Sequence, residues 1–400
     1  MKIAVFHNLP SGGAKRALYG FVKYLTKSGH LVDVFVPSTA DETFLPLKDV
    51  ANKVDVFPVR KTITGLIYSI LRYIPPIRIS LRDLERTEKE IADVINRQDY
   101  DVVFSEQGQY TLSPFFLKFI KKPAVYYCPQ PSRYHEAILQ KISQKKHGDY
   151  PQLVRIIWHK YFACRLPQID KENASFSRYI LTNSYFSRES ILRSYGLNSF
   201  VSYLGVDTEI FKPLGNPKEN FVLSVGSCGP SKGFDFSIKS LARIDSKIYP
   251  KFIIVCNSVD VGWKNYLEQL AIKVGVELEI KNLIQDNELV QLYNKAKLVL
   301  YAPYLEPFGL VPLEAMACGT PVVAVKEGGV RESVLHNETG ILTERDEGMF
   351  AEAITDLLLN KEKRQYMSQR ALEVVQNFWT LKHAGERLLN HLNRAMEVLK

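Results

Sequence analysis

Residues 296–325, AKLVLYAPYLEPFGLVPLEAMACGTPVVAV, constrain the chain more than any other stretch. Residues 298–301 read as a short buried strand, 311–317 as a helix, Gly319 as its C-terminal stop, and 322–325 as the next strand. That is a strand-loop-helix-strand unit of a parallel sheet. Pro312 suits the first turn of a helix, where its missing N–H costs nothing, so Phe308, Gly309 and Leu310 sit at the entrance with free amides. Such an entrance binds phosphate. Glu306 precedes those amides and Glu314 lies about one turn into the helix, so two carboxylates flank one anion site. A carboxylate beside phosphate is repelled unless it faces a donor, and sugar hydroxyls supply donors. Read this way the site suits a sugar joined to phosphate; read plainly, the two acids favour a helix start through its dipole.

Glu306 and Glu314, set in EPFGLVPLEAMACGTPVVA, resemble the paired-glutamate motif of retaining family 4 glycosyltransferases with the GT-B fold. The resemblance rests on the whole run of apolar, glycine and proline positions. It implies an α/β architecture of two Rossmann-like domains facing a cleft, with a C-terminal helix crossing back to the first. The expected divisions are an acceptor-binding domain at 1–204, a nucleotide-sugar-binding domain at 205–378 and a returning helix at 379–400.

Four hundred residues with 46% hydrophobic and 24% charged side chains are ordinary for two globular domains. The five cysteines show no metal spacing and are odd in number, which suits a reduced, intracellular protein. The start, MKIAVFHNLPSGGA, runs straight into a strand and a glycine loop, so no signal peptide is expected. Charge is uneven. Residues 1–200 carry a formal +11, the remainder −2, within a total of +9. Such a field suits an anionic lipid, an anionic glycan or nucleic acid; no recognised nucleic-acid module accompanies it.

Residues 2–36 form a βαβ start, strand 2–6, helix to about Ser28 and strand 31–36. Gly12 and Gly13 between them either let a ligand approach the backbone or make an ordinary turn. In the resembled family this loop faces donor and acceptor. Strands are expected at 54–58, 102–105, 124–128 and 179–182, with an edge strand through Tyr203. Residues 60–86 combine an apolar helical face with arginines, fitting a membrane-surface helix or a core-packed helix with a basic edge. The segment 139–175, rich in Lys, Arg and aromatics, fits a membrane face, an acceptor wall or a solvated insertion.

The loop YYCPQPSRYHEAI resembles a Tyr-Cys-His-x-Pro-x-Arg-Tyr segment of members that transfer mannose in bacterial polysaccharide assembly. Cys128, Pro131, Arg133 and Tyr134 match; Pro129 replaces the histidine, and His135 is a candidate replacement for it. Arg133, an always-charged fork, suits phosphate.

From 221 the pattern restarts. A strand at 221–225 leads through Gly226 and Ser227 to Lys232 and a helix at 234–242. Lys232 resembles the family lysine that meets the donor diphosphate, while Ser227 stands where an arginine is usual. Arg133, Lys15 and Arg16 are candidate substitutes for that cation. Strands follow at 252–256 and 277–280, and Asn282 and Leu283 resemble the segment against the nucleotide base. Trp379 is expected to begin the last helix.

The resemblance therefore implies retaining transfer of a hexose, mannose favoured, from a nucleotide diphosphate sugar such as GDP-mannose or a UDP-sugar. The acceptor would be lipid-linked or polysaccharide, in surface glycan or glycolipid assembly. Glu306 and Lys232 would act at the reacting centre; Gly226, Ser227, Asn282, Leu283, Phe308, Gly309, Leu310 and Glu314 would line the donor site. Gly12, Gly13, Arg133 and His135 would face the acceptor. No cofactor or metal is expected, since a helix entrance and cations can hold the diphosphate. The expected location is the cytoplasm, with the protein peripheral on the inner face of the membrane. The alternative is a homologue that binds nucleotide sugar without turnover.

Overall fold

The computed structural model describes residues 1–60, 80–132 and 165–398. The chain divides into two compact units, Met1–Tyr203 with Ala384–Lys400, and Leu204–His383. Each is a parallel sheet with helices, the arrangement that alternating apolar strands and amphipathic helices dictate.

The first unit contains β1 (Lys2–Asn8), α1 (Gly13–Lys27), β2 (Leu31–Pro37), β3 (Lys53–Phe57), α2 (Leu81–Asn96), β4 (Val102–Gly108) and β5 (Ala124–Tyr127). It continues through α3 (Leu166–Ser175), β6 (Ile180–Thr182), α4 (Tyr185–Tyr195) and β7 (Phe200–Val201). The sheet order is β3-β2-β1-β4-β5-β6-β7 and every pairing is parallel. Its central strands are buried on both faces: Ile3, Val5, Val34, Val103 and Phe104 are fully enclosed. Phe6 stacks on Phe116, with centroids 4.3 Å apart. The order reverses between β1 and β4, so the loops after these two strands diverge there and leave a crevice at the sheet's carboxyl edge.

The second unit contains β8 (Phe221–Val225), α5 (Phe234–Leu241), β9 (Lys251–Cys256), α6 (Val261–Val274), β10 (Leu278–Asn282), α7 (Asp286–Lys295) and β11 (Leu298–Tyr301). Then come α8 (Leu310–Ala317), β12 (Val322–Val325), α9 (Val330–Ser333), β13 (Gly340–Thr343), α10 (Glu347–Leu359) and α11 (Lys361–Val374). The order is β10-β9-β8-β11-β12-β13, again all parallel, and it reverses between β8 and β11. A core of Val222, Phe252, Ile254, Leu298, Leu300 and Val323 meets Phe236, Ile238, Phe350 and Ile354 from the helices.

Two sequence expectations need correction. Trp379 does not open the last helix. Val375–Trp379 is a π-helical turn, Thr380 is extended, and α12 runs Leu381–Val398. The cause is a cap: the Thr380 hydroxyl accepts from the His383 amide at 3.3 Å, while the buried Trp379 ring lies 5.7 Å from Phe308. Asn282 does not follow the third strand of this sheet; it ends β10, paired with Cys256 across the parallel ladder.

The last helix contacts α1 within the first unit. A Cβ placed on Gly385 would stand 2.1 Å from the Tyr24 ring, so the two helices touch at a glycine. Farther along, His391 Nδ1 lies 2.9 Å from the Tyr179 hydroxyl.

Candidate functional site

Both loops that leave the β8/β11 switch point carry charged residues toward one place. The loop after β8 ends in a short 3-10 turn, Pro230–Lys232, and the loop after β11 carries Glu306 to the entrance of α8. Lys232 Nζ donates to Glu306 Oε2 at 2.8 Å, with the two side chains 23% and 29% exposed. Partial exposure keeps the pair modest in strength, about 1 kcal/mol or less. It also keeps the lysine available to an incoming anion.

Backbone contacts fix the two loops to each other. Gly233 has φ +66, and a Cβ there would stand 2.0 Å from the Ala302 carbonyl oxygen, so only glycine allows this approach. Tyr304 N donates to Ser231 O at 2.9 Å, and Gly329 N to Glu306 O at 2.9 Å. Leu305 takes a left-handed φ of 49° directly before Glu306. Such a conformation costs on the order of 1 to 3 kcal/mol in a branched residue and persists where surrounding contacts impose it.

Arg345, two residues beyond β13, supplies much of that constraint. Its Nε and Nη2 bond Glu327 at 2.7 Å each, Nη1 donates to Ala302 O at 3.0 Å and Nη2 to Pro303 O at 2.8 Å. The guanidinium also lies 3.9 Å from the centre of the Tyr304 ring. A planar fork can satisfy two carbonyls and a carboxylate at once; a lysine cannot.

Glu314 is placed differently from Glu306. Lying within α8 and 5% exposed, it accepts a 2.8 Å hydrogen bond from the buried Tyr293 hydroxyl of α7. The entrance of α8 itself offers donors. Gly309 is its N-cap, with φ 101°, and the amides of Gly309, Leu310 and Val311 have no acceptor among the described residues. Phe308, also at the entrance, is buried with its ring toward Trp379.

The remaining residues expected at the donor site lie on the same carboxyl edge. Gly226 directly follows β8, and a Cβ there would touch the Lys232 side chain at 3.4 Å. Ser227 follows it; its carbonyl accepts from the Gly229 amide at 2.9 Å. Asn282 is exposed at the end of β10, and Leu283 beside it has a φ of 53° with 69% of its surface open. An exposed leucine held in a left-handed conformation at a strand's carboxyl end is the kind of outlier that marks a contact surface.

In the first unit Gly12 is the N-cap of α1 and Gly13 its first residue, at the carboxyl end of β1. Arg133 and His135 lie outside the described residues, as do positions 61–79 of the basic amphipathic segment and 139–164 of the aromatic one. Behind Gly12 lies a cluster that the sequence reading missed. His7 Nε2 is 2.9 Å from Glu42 Oε1, and Lys15 Nζ pairs with the same oxygen. Leu9 N donates to His7 Nδ1 at 3.2 Å, which assigns the imidazole proton to Nε2 and makes Glu42 its acceptor. Burial is the main reason that the His7 pKa falls to about 4. Burial alone would raise that of Glu42, but the hydrogen bonds from His7 and Lys15 outweigh it and bring it to about 2. Lys15 is wholly enclosed. Already engaged with Glu42, it is a poor replacement for the missing arginine. Arg16 stacks 5.7 Å from the Phe44 ring.

Arg345, Tyr293 and Leu305 also escaped the sequence reading. Position could have flagged Arg345, since it follows a strand's carboxyl end in a parallel sheet. Among the described residues no group of His, Cys, Asp and Glu has the arrangement to hold a metal ion, and no helix is long and apolar enough to cross a membrane.

Comparison with known proteins places this geometry in context. Residues 206–374 match the family model described as glycosyl transferases group 1. A D-inositol 3-phosphate glycosyltransferase of Corynebacterium efficiens is 33% identical over 175 residues, 42% of this chain and 41% of the relative. The O-antigen chain mannosyltransferase RfbU of Salmonella typhimurium is 32% identical over 185 residues, 45% of this chain and 51% of the relative. The chain thus spans about half the length of the curated relatives it matches. The crystal structure of Anabaena HepE in complex with UDP-glucose aligns with a TM-score of 0.70 at 20% identity, covering 98% of this chain and all of that one. That likeness identifies the fold as GT-B.

Proposed function

We propose that this chain, whose residues 206–374 match the model of glycosyl transferases group 1, acts as a retaining member of that group and moves a hexose from a nucleotide diphosphate sugar to a hydroxyl acceptor. The observation that carries this reading is the Lys232–Glu306 pair at the entrance of α8, where uncommitted amides and a cation meet a carboxylate. Donors aimed at an anion suit a diphosphate; an acceptor beside them suits a sugar hydroxyl.

In this reading the bond from the anomeric carbon to the phosphate oxygen breaks, and the acceptor oxygen bonds to that carbon on the same face. The acceptor's proton passes to the departing phosphate. Negative charge grows on the diphosphate during the step, so Lys232 and the amides of Gly309 and Leu310 stabilise the transition state more than the ground state. Glu306 holds the sugar near the reacting carbon and is not a covalent nucleophile. Glu314, steadied by Tyr293, meets the ribose hydroxyls, and Asn282 and Leu283 lie against the base. Gly226 and Ser227 line the diphosphate, and Phe308 packs beneath the entrance. No cofactor or metal enters this scheme.

Gly12, Gly13, Arg133 and His135 are proposed to face the acceptor. The formal +11 on residues 1–200 favours an anionic or membrane-held one, such as a lipid-linked oligosaccharide in surface glycan assembly. The relative named for transfer to O-antigen chains supports mannose as the sugar, and the fold neighbour holding UDP-glucose supports a UDP-sugar donor equally. The protein would then work in the cytoplasm, peripheral on the inner face of the membrane. Co-sedimentation with vesicles should rise with their anionic lipid content; binding indifferent to it would remove the membrane part of this reading.

Ser227 favours one second reading. With a hydroxyl where a cation is usual, the chain would bind nucleotide sugar and leave it intact. A donor screen separates the two: GDP-, UDP- and ADP-sugars incubated with protein and membrane lipid extract, with released nucleotide and labelled lipid followed together. Release of one nucleotide with label entering lipid supports transfer. Tight binding without either product supports the silent binder.

A further inference from the structure

The entrance of α8 has a second inhabitant. Tyr301, the last residue of β11, is 6% exposed, and a Cβ built on Gly309 would stand 2.6 Å from its hydroxyl oxygen. The phenol therefore lies directly against the N-cap of α8, and glycine at 309 is what admits it there. Among the described residues no side chain or backbone group is hydrogen-bonded to the hydroxyl. Its oxygen is not among the side-chain atoms sealed from solvent without a partner, so on a residue 6% exposed the open part includes the hydroxyl, which faces the entrance of α8. Water or a ligand atom normally completes such a group.

The groups around it indicate which ligand. Burial first, then the Glu306 and Glu314 carboxylates, push the Tyr301 pKa well up, so the phenol keeps its proton and serves as a donor. The amides of Gly309, Leu310 and Val311 beside it are donors as well. Four donors at one helix entrance ask for an acceptor-only partner, which an anionic oxygen is and a sugar hydroxyl is not.

We infer that the Tyr301 hydroxyl donates a hydrogen bond to an anionic oxygen of the donor's distal phosphate, making it a catalytic residue alongside Lys232. This rests on the reading of the α8 entrance as the diphosphate site. It adds a neutral donor that binds the phosphate without placing a further positive charge beside Glu306.

Tyr301→Phe keeps the ring and removes only the oxygen. Wild type and variant are titrated calorimetrically with UDP, UMP, GDP and GMP, and both are unfolded without nucleotide. In wild type the diphosphate of the preferred base binds more tightly than its monophosphate. In Tyr301→Phe that advantage shrinks about tenfold, the size of a lost hydrogen bond to a charged group, while monophosphate affinity is unchanged. The unfolding midpoint without nucleotide stays level, since the hydroxyl that is removed holds no other residue. An unchanged diphosphate advantage overturns the assignment, and so does a lowered midpoint with both nucleotides weakened, which would mark a structural bond to Glu306 or Glu314. A wild type that binds di- and monophosphate alike overturns the diphosphate reading itself and Tyr301's role with it, and is recognised before any variant is made.

Discussion

Lys232 Nζ and Glu306 Oε2 stand 2.8 Å apart although 74 residues separate them in the chain. The switch between β8 and β11 brings them together, since their loops leave neighbouring strands in the same direction. Gly233 against the Ala302 carbonyl and the Gly329 amide on Glu306 O hold the two loops in place around the pair. The pair sets a cation and an acceptor side by side at a helix entrance.

Glu306→Gln is the direct test of that arrangement. The amide matches the carboxylate in shape, and a partly exposed loop position tolerates it, so the thermal midpoint should move by no more than about 2 °C, well under 1 kcal/mol. Turnover should fall about 100-fold or more, the range for losing one preorganised electrostatic contact to a transition state. Steady-state kinetics with the donor found in the screen decides; near-normal turnover would remove Glu306 from the reacting centre.

Arg345→Lys keeps the charge and loses the fork. The carbonyls of Ala302 and Pro303 and the Glu327 carboxylate cannot all be met by one ammonium. We expect a stability loss of about 1.5 to 3 kcal/mol, as for hydrogen bonds to charged groups. Amides 302–309 should exchange hydrogen faster, while β8 stays protected. If Arg345 positions Glu306, the double variant with Glu306→Gln should be no slower than Glu306→Gln alone; additive losses in turnover would make Arg345 a purely structural residue.

The sheet elements were largely legible in the sequence because parallel strands buried on both faces leave continuous apolar runs such as 298–301 and 322–325. Gly319 and Pro312 marked the end and the first turn of α8 through backbone chemistry that any reader of sequence can use. The Glu306 and Glu314 positions stood out by spacing, but their different surroundings did not. Tyr293 reaches Glu314 from another helix, and Lys15 finds Glu42 across 27 residues. Such pairings depend on where tertiary structure brings side chains, which no local pattern encodes. Leu283 and Leu305 show the same limit in the backbone, since a leucine carries no sign that its φ will be positive. The break at Thr380 was missed because the apolar pattern runs through Trp379, while a single hydroxyl cap decides where α12 begins.

Tyr293→Phe should be costly for its size. Glu314 is buried, and removing the phenol that donates to it at 2.8 Å withdraws a charge-assisted bond in a low-dielectric setting. The expected loss is about 1 to 3 kcal/mol of stability, with a raised donor KM and a smaller change in kcat, because Glu314 is proposed to bind ribose and not the reacting carbon. Chemical denaturation and donor titration measure the two effects separately. An unchanged KM would detach Glu314 from the donor.

The first unit should lose stability as pH rises from about 6.5 to 8, and one residue should account for a countable part of that loss. Glu88 is fully enclosed, accepts from the Phe116 amide at 3.0 Å and has its pKa pushed by burial to about 8. Glu106 is raised to about 8 and Asp170 to about 7, chiefly by burial too. Unfolded, these carboxyls ionise near 4, so across the window the native state holds protons that the unfolded state has released. Stability then falls with rising pH by about 1.4 kcal/mol per unit for each such proton. His7 has the opposite sign: lowered to about 4, its contribution is complete above 6.5 and fades as pH falls toward 4. His30 and His391, also lowered chiefly by burial, share that sign, so three histidines oppose the three acids below about 6.5, and the net decline sets in above it, steepest until Asp170 ionises near 7. Glu88→Gln, which imitates the protonated acid, should remove one proton from that slope and make the first unit more stable than wild type at pH 8.5. Hydrogen exchange of the β4 peptide, corrected for the intrinsic pH dependence of exchange, reads the local stability. Superimposable profiles for the two proteins would mean that Glu88 is ionised in the folded chain, and the burial argument for its proton would fall.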